Sequence, residues 1–200
     1  MDLSLPNHSF LKGIFGLVSY SPSQKTDKNV EEIKETALKL VKQYNNFEEL
    51  FKQVKAELLW FISGSSDVND LRRLGAKIWD ANADAEYWRS KAKFPGDIGR
   101  AYGVQWRHWR TSEGREIDQL ANVIHDIKND PNKRRIIMTA WNPGELDQAA
   151  LPPRHMTSQS YVENGKLSIA MDQRSCDMFL GVPFNIASYS LLLHMIAQVT

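Results

Sequence analysis

Asn164-Gly165 stands between two extended runs, His155 to Val162 and Lys166 to Met171. A type I′ two-residue hairpin turn needs positive φ at both central residues, and Asn-Gly meets that need at low cost. This dipeptide therefore fixes two antiparallel strands and the side chains that share each face. Ahead of it the chain is mostly helical in pattern. Asp27 can cap a helix carrying Val30, Ile33, Ala37, Leu40, Val41 and Tyr44 at three- and four-residue spacing. Asn46 with Glu49 predicts the start of a second helix, with Leu50, Phe51, Val54, Leu58 and Phe61 on its buried side. A short helix with Val68, Leu71 and Leu74 ends at Gly75. Ile117, Leu120, Ile124 and Ile127 predict another, stopped by Asp130-Pro131. Helices, then strands, then a last helix from about Pro183 give an α+β chain.

Two stretches resist a simple period. Residues 79–112 are dense in Trp, Tyr, Gly and Arg, and predict a structured functional loop. Arg134 to Trp141 reads as a strand with a buried middle, Ile136-Ile137-Met138. The final helix is still periodic at Val199-Thr200, as in a chain cut inside its last helix.

The single cysteine, Cys176, excludes an internal disulfide and a thiolate zinc cluster. No His/Cys/Asp/Glu spacing fits a metal site. With 25 basic and 24 acidic residues, nothing demands a nucleic acid or an anionic membrane; RNA binding is open but not indicated. All the arginines lie at or after Arg72, so any phosphate gripped by a guanidinium fork is gripped there. No segment reaches ~18 unbroken apolar residues, and the first apolar run has no basic flank. The expectation is a soluble, cytoplasmic protein.

The richest constellation is Gln173-Arg174-Ser175-Cys176-Asp177, followed by Gly181-Val182-Pro183-Phe184-Asn185. Arg with Ser suits a phosphate monoester, and Asn can donate and accept at a pyrimidine edge. The alternative is a capped turn with a solvated Arg. Arg134-Arg135 on a strand would point to opposite faces, one exposed and one paired, unless the backbone departs from a strand. Glu57, inside Ala56-Glu57-Leu58-Leu59-Trp60-Phe61, is either satisfied by a partner or tuned for acid–base work. Tyr102, in a Gly-flanked loop, and His155, at a strand entry, are proton-transfer candidates or packed polar groups.

Several stretches resemble thymidylate synthases: 56–61, Ile78-Trp79-Asp80, Tyr102 to Arg107, Arg134 to Ile137, Trp141-Asn142-Pro143, 173–177 and Gly181 to Tyr189. The resemblance spans about 56–200, leaving 1–55 as a divergent helical segment. It implies the family fold, a mixed twisted sheet with packed helices, here C-terminally incomplete. It also implies reductive methylation of dUMP to dTMP with 5,10-methylenetetrahydrofolate as co-substrate, no metal, and a homodimer. By resemblance, Gln173, Arg174 and Ser175 bind the substrate, and Arg134 and Arg135 reach the phosphate in the partner subunit's site. Asn185 reads the pyrimidine and favours uracil. Trp79, Leu151, Asp177, Leu180, Gly181 and Phe184 face the folate, with Asp177 at the substrate as well. Glu57 and Tyr102 serve proton transfer, with His155 beside the nucleophile.

Three departures bear on activity. The family's nucleophile stands in Pro-Cys-His, but this chain reads Pro153-Arg154-His155. A guanidinium stays protonated and is no nucleophile. The family's N-terminal arginine loop and its C-terminal part are not found. In addition, Thr157, Ser158 and Ser160 stand where the family has large apolar residues. The expectations are a catalytically deficient homologue, or a non-catalytic module binding a nucleotide or a partner. A pyrimidine-nucleotide hydroxymethylase relative would need the same thiol.

Overall fold

The computed structural model describes residues 47–178 and 181–200. The helix expected from Asp27, its Asn46 neighbour and Leu180 lie outside the described residues.

Helix α1 spans Phe47–Ser63 and runs unbroken through residues 55 and 56. Val54, Leu58 and Phe61 are buried as the spacing predicts. Phe51 is not: it is 45% exposed, while Ala56, Glu57 and Trp60 are buried. A single stripe assumes one covering layer, whereas α1 packs against more than one helix.

Helix α2 is Val68–Arg73, capped by the Asp67 carboxylate on the Asn69 N–H. It ends in a Schellman arrangement: Gly75 N–H donates to Arg72 O and Ala76 N–H to Leu71 O. Gly75 takes φ +94°, which favours glycine there. Leu74, expected on the buried stripe, is exposed at the cap.

The aromatic stretch is not one loop. It holds α3 (Asp80–Ala83), α4 (Glu86–Arg89) and α5 (Tyr102–Arg107). Helices this short carry too few turns to show a period. The intervening segment is fixed by Asp97, whose buried carboxylate accepts the Lys93 and Gly99 N–H groups, and by Trp88, whose indole donates to Asp97 O.

A two-stranded ribbon follows, β1 (Trp109–Arg110) against β2 (Glu116–Ile117). Ile117 thus belongs to β2, and α6 (Gln119–Asn129) starts after the Asp118 cap. Strand β3 covers only Ile137–Thr139, with Ile136 and Met138 buried but Ile137 46% exposed.

Strands β4 (His155–Glu163) and β5 (Lys166–Gln173) form the expected hairpin. Asn164 and Gly165 have φ +51° and +71°, as a type I′ turn requires. The sheet order is β3-β4-β5, antiparallel throughout. On its inner face Ser158 lies opposite Met171, and Ser160 opposite Ile169. Both serines are buried. Thr157 Oγ1 donates to Thr139 Oγ1, which donates to Met156 O.

Helix α7 runs Gly181–Val199, starting two residues before Pro183. Tyr189, Leu192 and Ile196 are buried, and the helix packs on α1 and β5. By length and composition alone α7 is long and apolar enough to cross a membrane, with mean hydropathy 1.2 over 18 residues, 22% of them buried. Asn185, Ser188, Ser190 and His194 interrupt its apolar run.

Candidate active site

The first member is Glu57 on α1. Trp79, at the cap of α3, donates its indole N–H to Glu57 Oε1 at 2.6 Å, and both side chains are buried. Burial disfavours the carboxylate and the indole bond favours it; burial dominates, and the pKa is raised to about 7. Glu57 is both partnered and tuned.

Tyr102 opens α5 with φ +23°, rare for a residue with a side chain. Its neighbour explains the constraint. Gly103 lies so close to α1 that a Cβ there would stand 2.3 Å from Phe61 O. The Tyr102 ring is stacked between Phe61, centroids 4.9 Å apart, and His155, 4.2 Å apart, with the Trp79 edge at 5.6 Å. Its hydroxyl accepts the Arg154 N–H at 2.7 Å. Burial pushes its pKa up to about 12, so the phenol keeps its proton near neutrality.

His155 opens β4, and its Nδ1 lies 2.9 Å from the Tyr189 hydroxyl on α7. Burial lowers its pKa to about 3, so the ring is neutral. Burial likewise raises Tyr189 far above the usual phenol range. Glu57, Trp79, Tyr102, His155 and Tyr189 thus form one buried group of proton-bearing side chains, drawn from α1, the α3 cap, α5, β4 and α7.

At the rim stand the arginines. Arg154 immediately precedes His155 and its side chain is exposed. Arg174 donates its N–H to Arg154 O. Its Nε and Nη2 bond to Pro153 O and Pro152 O, and its guanidinium lies 5.2 Å from the Trp141 ring centroid. Gln173, opposite His155 in the sheet, donates to Ser175 O. Ser175, Cys176 and Asp177 are exposed. Cys176 is exposed, with its Sγ 3.7 Å from Met178 Sδ.

Asn185 lies four residues before Tyr189, on the same side of α7. Of the folate-facing set, Trp79 is in the buried group. Leu151, Gly181 and Phe184 are half-buried.

Arg134 and Arg135 are not brought to this site. They occupy a turn before β3, not a strand, and both are exposed. The expectation of one exposed and one paired arginine fails, because a turn need not alternate its side chains. Gln159 bonds to Arg134 O, and Gln159 is four residues along β4 from His155, about 13 Å at strand rise.

Sequence reasoning missed Tyr189 as a site residue. Nothing local to it aims its hydroxyl at a residue 34 positions earlier. It also missed the pair Arg100–Glu145, 2.5 Å apart and largely buried. Gln105 and Asn142 add bonds to the same carboxylate, bracing α5 beneath Tyr102. A separate cleft of about 540 Å³, lined by Lys91, Lys93, Asp97, Arg110 and Glu116, shares no residue with the buried group.

Residues 31–200 match the family model described as thymidylate synthase. The chain belongs to the thymidylate synthase family. A relative, the bifunctional dihydrofolate reductase-thymidylate synthase of Zea mays, is 54% identical over 160 residues, which is 74% of this chain and 31% of that protein. The chain therefore spans about a third of the length of this curated relative. The family match begins earlier than the motif series at Ala56.

Proposed function

We propose that this chain is a pyrimidine-nucleotide-binding member of the thymidylate synthase family that does not itself make dTMP. The observation that carries this is Arg154 in the family's Pro-Cys-His position, beside a buried proton-transfer group. A guanidinium cannot supply a thiolate's electron pair. The chain's one thiol, Cys176, is exposed and has Met178 Sδ as its partner.

Family membership supports dUMP and 5,10-methylenetetrahydrofolate as ligands. The folate, when bound, supplies the carbon and the hydride. This chain's residues would do the rest. Trp79, Leu151, Asp177, Leu180, Gly181 and Phe184 would hold the folate, and Arg174, Ser175 and Asn185 the nucleotide. Glu57, with a pKa near 7, can hold or release a proton at neutral pH. Tyr102 and His155 enter as neutral donors or acceptors. A cytoplasmic homodimer fits the same reading: Arg134 and Arg135 are exposed and have no ion pair among the described residues, free to reach a partner's site.

The test is tritium release from 5-tritiated dUMP with methylenetetrahydrofolate, beside calorimetry with dUMP. No release with measurable binding is the expected result. Release above background overturns the inactivity.

A further inference from the structure

Arg154 and Arg174 sit one step beyond the His155–Gln173 pair and are joined by the Arg174 N–H to Arg154 O bond of 2.9 Å. They are cross-strand neighbours, a separation at which Cβ atoms lie ~5 Å apart. Two like charges so placed repel and cost stability unless an anion lies between them. Glu57 is buried on Trp79 and gives neither an ion pair. Asp172, two residues before Arg174, is exposed and in no ion pair with them among the described residues. Asp177 takes part in an interaction.

The Arg174 guanidinium and the Arg154 backbone are also preorganised. Arg154 follows Pro152-Pro153, whose rings fix φ. Its N–H is held by Tyr102 and its carbonyl by Arg174. Arg174 has Nε and Nη2 tied to carbonyls and its guanidinium set over Trp141. Such fixing lowers the entropy lost when a ligand binds.

We propose that Arg154 and Arg174 form a two-guanidinium clamp for one phosphate group. The residue that removes the nucleophile thereby becomes an anion grip. Planar guanidinium forks suit phosphate oxygens, and two of them neutralise a dianion. The inference rests on the nucleotide reading only for what carries the phosphate.

The test is calorimetry of the full chain with inorganic phosphate, at low and raised salt, then with dUMP. Phosphate binds, more weakly as salt rises. Arg154→Gln weakens it about tenfold, the loss of one charge-assisted bond. Arg154→Lys, with charge but no fork, falls between. Lys128→Gln, an exposed change on α6, leaves it unaltered. No phosphate binding to the wild type, or equal binding by Arg154→Gln, overturns the clamp. If Arg154→Gln binds dUMP more tightly, the clamp falls and the nucleotide reading stands. If phosphate binds through Arg154 but dUMP binds no better than phosphate, the clamp stands and the nucleotide reading falls.

Discussion

Glu57→Gln tests the buried acid directly. In the folded chain Glu57 keeps its proton to about pH 7, whereas its ordinary value is 4.5. Between these values the folded state holds a proton that the unfolded state has released, so stability falls as pH rises through this window. Below about 4.5 the effect is absent, and above about 7 it is complete. At ~1.4 kcal/mol for each pH step of one, the difference corresponds to about 3 kcal/mol. The substitution removes this dependence and keeps an acceptor for the Trp79 indole. The amide hydrogens it introduces need partners in a buried place, at a cost of roughly 1–3 kcal/mol that does not vary with pH. The slope of the difference therefore decides the matter, not its absolute value. His155 acts in the opposite sense. Its pKa falls from 6.5 to about 3, so stability is lost as pH drops through that range. The wild-type curve alone mixes the two, and subtraction isolates Glu57. Urea unfolding of wild type and Glu57→Gln at intervals from about pH 4 to 8 gives the difference. The variant gains about 3 kcal/mol relative to wild type between the ends of that range. Parallel curves would refute the burial of an ionisable acid at this position.

His155→Gln removes the opposite limb: with Glu57 common to both chains, the variant gains stability relative to wild type as pH falls from 6.5 toward about 4, by the same urea series. Gly103→Ala places a Cβ 2.3 Å from Phe61 O and 2.6 Å from Phe61 Cα; backbone must shift, and thermal unfolding shows a loss of about 3 kcal/mol or more. Tyr102→Phe leaves the Arg154 N–H without its acceptor and costs about 1–3 kcal/mol by urea unfolding. Incubation with 5-fluoro-dUMP and methylenetetrahydrofolate gives no covalent adduct by intact mass; an adduct mapped to Cys176 would make that thiol the nucleophile.

Much of the scaffold was legible locally. The hairpin followed from Asn164-Gly165, and α6 and α7 from apolar spacing that survived burial. Where the reading failed, more than one layer was at work. Phe51 and Leu74 lie on a correct period but outside the covered surface. The helices between Trp79 and Arg107 are too short to declare themselves. Ile117 kept its apolar character but went to a strand.

The candidate site divides the same way. That Arg154 stands between Pro153 and His155 is a fact of sequence. The motifs likewise named Glu57, Tyr102, His155 and Arg174 before any contact was known. Only the tertiary structure decided their states. Burial from several elements, not any neighbour in sequence, raises Glu57 and lowers His155. Antiparallel pairing of β4 with β5 brings Arg174 beside Arg154. Ionisation and encounter depend on distances across the fold, which a linear chain of residues does not contain.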